Sequence, residues 1–96
     1  MKAKKIHNPK EFNIEINPEE PLFIIGVASE MVEIPIWTLR RLDEMGVVKP
    51  KRIGKKTRCY SKEQVKQLNY IYYLMQEKGV TISNVKVFIE MNISRK

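Results

Sequence analysis

Residues 37–60 read WTLRRLDEMGVVKPKRIGKKTRCY. Leu39, Leu42 and Met45 recur every three positions, which places one apolar stripe along a short helix. Gly46 is a natural left-handed stop for that helix. Val47 and Val48 resume apolar character, and Pro50 to Thr57 then reads as two short strands turning near Gly54. Between positions 49 and 58 stand Lys49, Lys51, Arg52, Lys55, Lys56 and Arg58, with no acidic residue among them. A cationic loop beside a short helix can hold the phosphates of a duplex while side chains are offered to a groove.

Upstream, Val27, Ala28, Met31 and Val32 form one apolar face of a helix that begins near Ile25, with Glu30 and Glu33 on the other side. Ile34-Pro35 breaks it, because proline lacks an N–H and disfavours helix in the residue before it. Pro35 then suits the opening of a second helix running to about Met45. Downstream, Ser61 with Gln64 three residues on is a capping-box pattern for a third helix. Its apolar stripe is Val65, Leu68, Ile71, Tyr72 and Met75, and Gly79 ends it. Thr81 caps a fourth helix carrying Ile82, Val85, Phe88 and Ile89. Residues 1–20 read as an arm broken by Pro9 and Pro18, with a weak strand signal in the alternation of Phe12, Ile14 and Ile16. The expected fold is mostly α: a winged helix-turn-helix of about four helices with a small two-stranded β-wing over residues 21–96.

Ninety-six residues suffice for one modest core. The net charge is +7, and its placement says more than its size. The arm balances four lysines against four glutamates, whereas residues 40–62 hold nine basic side chains and two acidic ones. Focused charge argues for a polyanionic partner. A lone Cys59 cannot form an internal disulfide, which fits a reducing compartment, and His7 is too distant in sequence to share a zinc site with it. The longest apolar run, Leu22 to Ala28, is too short to span a bilayer, and no apolar stretch follows the basic start as in a signal peptide. The expected location is the cytoplasm. No catalytic constellation, metal site or cofactor motif is present in the sequence, so no enzyme is expected.

Ile25-Gly26, Ala28, Thr38-Leu39-Arg40, Gly46-Val47, Pro50-x-Arg52 and Arg58-x-Tyr60-Ser61 reproduce the order and spacing of the MerR-type winged helix-turn-helix domain. Gly79-Val80 with Ile82, Val85 and Ile89 continues the resemblance, which covers roughly residues 22–91. Within that family, the Pro-Leu-Phe lead-in and the TLRRLDEMGVVKP stretch look most like the heat-shock repressor subgroup. The resemblance implies a sequence-specific regulator of transcription, read here as a repressor associated with the bacterial nucleoid. It also implies double-stranded promoter DNA as partner, often bound by a dimer that bends or untwists it. Homodimerisation is possible, though the family's long dimerisation helix is absent from a chain that ends five residues past Met91. The sequence departs from the pattern at Glu33, where glycine is usual, and at Arg41 and Leu42, where two aromatic residues are usual.

The candidate DNA contacts are Trp37, Thr38, Arg40, Arg41, Lys51, Arg52, Lys55, Lys56, Arg58 and Tyr60. Trp37 and Arg41 lie one turn apart, opposite Leu39 and Leu42, and would face the major groove. Arginine reads guanine, and Trp37 could meet a thymine methyl or instead pack against the wing or helix one. Arg40 has two readings, a phosphate contact or a surface pair with Glu44. Arg52 and Arg58 match the family's wing motif as phosphate or minor-groove contacts, and Lys55 and Lys56 supply general attraction at the tip. Tyr60 is open between a hydroxyl offered to phosphate and a half-buried strand residue. A protein-interaction module resembling chaperone modulators, and an excisionase-like architectural DNA binder, are the alternatives. The first of these has no need of a basic wing.

Overall fold

The computed structural model describes residues 17–94. The weak strand signal at Phe12, Ile14 and Ile16, and His7, lie outside them. In chain order the elements are β1 (Pro21–Ile24), α1 (Ile25–Val32), α2 (Ile36–Glu44), β2 (Lys51–Ile53), β3 (Thr57–Ser61), α3 (Lys62–Gln76) and α4 (Ile82–Ser94). The mostly-α winged helix-turn-helix expected from the sequence is therefore present, with one strand more in its sheet. The strand order is β1-β3-β2, antiparallel throughout. Phe23 lies opposite Tyr60, and Arg52 opposite Arg58. The four residues of β1 form a continuous apolar run into α1, so they carry too little alternation to announce a strand.

The turn between α1 and α2 explains the unusual Glu33. This residue adopts the left-handed conformation with φ 59°, a geometry that glycine accepts freely and other residues pay for in steric strain. The Ile34 amide donates to the Ser29 carbonyl, and the Ser29 hydroxyl donates back to the Ile34 carbonyl at 2.6 Å. These two bonds and the buried Ile34 side chain hold the turn despite the strain. Pro35 takes the N-cap position of α2, and its carbonyl accepts from the Thr38 and Leu39 amides. At the other end Gly46 has φ 78°, and the Val47 amide donates to the Leu42 carbonyl, the closure expected of a glycine stop.

α3 begins as the capping pattern predicts. The Gln64 amide donates to the Ser61 hydroxyl oxygen at 3.1 Å, and the Ser61 amide donates to Gln64 Oε1 at 3.0 Å. The core gathers Ala28 and Val32 of α1, Leu39 and Leu42 of α2, Val48, Tyr60, three residues of α3 (Val65, Leu68, Ile71), and Val85 of α4. Expected inward residues depart from this in two places. Val27 and Met31 of α1 are exposed, as is Phe88 of α4. In an eight-residue helix the Ala28–Val32 line meets α2 and α3, and Val27 and Met31 lie 100° round from it.

Candidate nucleic-acid interface

α2 and the wing meet at one carboxylate. Asp43 follows Leu39 by one turn, so the helix points it inward at the inner face of the sheet. Arg52 and Arg58 face each other on β2 and β3 and share that inner face. The Arg58 Nε donates to Asp43 Oδ2 at 2.8 Å, an Arg52 terminal nitrogen donates to the same oxygen at 3.3 Å, and Lys49 Nζ lies 3.6 Å from Oδ1. The Asp43 side chain is only 7% exposed and that of Arg58 17%. A buried carboxylate is tolerated when cations and hydrogen bonds replace its water, and three cations do so here. Gln64 ties the same region to α3, its Nε2 donating to the Lys49 carbonyl at 2.7 Å.

This arrangement sorts the candidate contacts. Trp37 is the most exposed large apolar side chain of the described residues, at 69%, and Arg40 and Arg41 are exposed beside it on α2. Arg40 does not pair with Glu44, and Trp37 does not pack into the interior, so both lie open to a partner. Lys51, Lys55 and Lys56 are exposed along the wing. Arg52 is half-exposed and can serve Asp43 and a phosphate together. Arg58 is committed to Asp43 and largely covered, which makes it a support of the wing rather than a free cation. Thr38 and Tyr60 are buried and present no surface to a ligand.

Tyr60 is completely covered, and its hydroxyl has no hydrogen-bond partner. Burial pushes the phenol up to about 12 from its ordinary 10, and the nearby Asp43 charge adds to the rise while Arg58 and Arg52 oppose it. Asp43 is the residue that sequence reasoning missed. Its signal was available: an acid one turn after Leu39 sits on the buried side of α2, where a charge requires partners. Among the described residues no cluster of acids, histidine and cysteine is placed to hold a metal ion, and no helix is long and apolar enough to cross a membrane.

Residues 23–92 match the MerR helix-turn-helix family of regulatory proteins. This chain belongs to the MerR family. Over 77 residues it is 30% identical to a Streptomyces coelicolor protein named for heat shock, HspR. The match takes in 80% of this chain and 51% of that relative, so the chain spans about half the relative's length. The resemblance to the heat-shock repressor subgroup thus has a counterpart in a relative named for heat shock. Seen as a MerR domain, the chain keeps the arginines of the wing motif, and its structure shows them sharing a carboxylate of α2.

Proposed function

We propose that this MerR-family domain binds double-stranded DNA sequence-specifically and represses transcription, with α2 in the major groove and the wing on the flanking backbone. The observation that carries the reading is the shared support of the two elements. Asp43 joins the base of the basic wing to the helix that exposes Trp37, Arg40 and Arg41, so grip and reading surface are presented as one rigid unit. In that pose Arg41 and Trp37 address base edges, whereas Arg40, Lys51, Arg52, Lys55 and Lys56 address phosphates. The Streptomyces relative supports a heat-shock promoter as the kind of site to try first.

Titration of labelled promoter duplexes tests this. Affinity for a preferred sequence should fall steeply with salt, in proportion to the phosphates neutralised. Arg41→Ala should narrow the gap between preferred and random sequence, because a base contact is lost and the backbone contacts remain. Salt-insensitive binding, or none, would sink the reading. Equal weakening of all sequences by Arg41→Ala would reassign that residue to the backbone.

A further inference from the structure

The end of the molecule that begins at β1 has the opposite character to the wing. From Asn17 to Leu39 there is no lysine or arginine, and Glu19, Glu20, Glu30 and Glu33 are all exposed. Among these acids runs an apolar stripe that the other described residues leave exposed. Leu22 and Ile24 share one face of β1, Ile24 is the N-cap of α1, and Val27 and Met31 follow one turn apart on the helix. These four residues are 43–48% exposed, although two of them, Val27 and Met31, belong to the helix face that patterning would bury. Glu30 stands three residues from Val27 and beside Met31, so charge and apolar surface interleave.

We propose that this β1–α1 face is a docking surface for a basic polypeptide segment that carries apolar side chains, in a protein partner distinct from the DNA. Charge decides the class of partner. Nucleic acid and anionic lipid headgroups are both repelled by four glutamates on a segment that carries no lysine or arginine, whereas a lysine- or arginine-rich segment is drawn to them. The apolar stripe then supplies the contact that lasts, as small apolar anchors do at the centre of an interface with a polar rim. The inference stands independently of the DNA reading, since none of these residues belongs to the wing or to α2. It makes the domain two-sided, so a regulator could be engaged by protein while its basic side is occupied.

An 18-residue amphipathic peptide of leucine and lysine, and its leucine–glutamate counterpart, serve as probes against the full 96-residue chain. Followed by 15N–1H spectra, the lysine peptide should shift resonances between residues 19 and 33 and leave the wing unmoved; the glutamate peptide should do neither. Val27→Ser with Met31→Ser should weaken binding tenfold or more, and Glu30→Lys should weaken it in a salt-dependent way. Neither change should alter DNA affinity or the circular dichroism spectrum. Absence of binding, or binding indifferent to both variants, overturns the proposal. So does self-association in sedimentation that Met31→Ser abolishes, which would make a second copy the occupant. Binding seen only after residues 1–16 are deleted overturns it too, in favour of the chain's own N-terminal residues.

Discussion

The base and the tip of the wing carry the same sign of charge and use it differently. At the base, Arg58 and Arg52 converge on the Asp43 carboxylate, and the Arg58 guanidinium is mostly covered. At the tip, Lys55 and Lys56 stand in solvent within the turn that follows Gly54 and leads into β3 at Thr57. A guanidinium fork suits the base because it can hold one carboxylate oxygen with fixed geometry, and flexible ammonium groups suit the tip because they follow a backbone without demanding register. Charge counted along the sequence treats all of these alike. The fold divides them into cations engaged with Asp43 and cations that remain in solvent.

That division can be broken most severely at its centre. Asp43→Asn should cost about 3 kcal/mol of folding stability, because Arg58 is left largely buried without its counter-charge. Chemical denaturation measures this, and DNA affinity should fall with it as the wing loses its anchor on α2. An unchanged denaturation midpoint would mean that the three cations do not need the carboxylate. Arg58→Ala is expected to cost less, about 1–2 kcal/mol, since Asp43 keeps Arg52 and Lys49. Its loss of DNA affinity should be restored in part by a stabilising substitution elsewhere, which a direct phosphate contact would not allow.

Tyr60→Phe probes the ground beneath the base. At neutral pH it should change stability by no more than about 1 kcal/mol, because the hydroxyl it removes has no partner to lose. The difference emerges in alkali. The unfolded phenol loses its proton near 10 and the folded one near 12, so the unfolded state sheds protons first across that window. The stability due to Tyr60 is whole below pH 10 and declines as pH rises towards 12; the phenylalanine variant lacks this decline. Parallel pH curves for the two proteins would contradict the assignment. Lys56→Ala has the smallest effect on folding, within about 0.5 kcal/mol. It should nevertheless reduce the salt slope of DNA binding by about one, equally for every sequence.

Much of the fold was legible in the residues. Ser61 and Gln64 announced the start of α3, Gly46 and Gly79 the ends of α2 and α3, and Gly54 the turn of the wing, because capping and left-handed backbone are local chemistry. The resemblance in the TLR, PxR and RxY spacing pointed to the family that the chain belongs to. What stayed hidden was set by contacts distant in sequence. β1 exists because β3 offers it an edge, and Arg58, read as a phosphate or minor-groove contact, has its carboxylate partner Asp43 fifteen positions away. Thr38 and Tyr60 belong to conspicuous motifs, yet a motif does not tell which side of an element a residue faces. In both cases the motif residue is part of the interior that supports the surface around it.

Gln64 has a consequence for how the molecule opens. Its backbone amide and side-chain oxygen close the capping box with Ser61, while its side-chain nitrogen holds the carbonyl of Lys49 across the whole wing. The hairpin from β2 to β3 is thus laced at its root by the first turn of α3, much as a drawstring closes a bag. Amide protons in the two places should therefore exchange with solvent at a common rate, the wing loosening only when that turn unwinds.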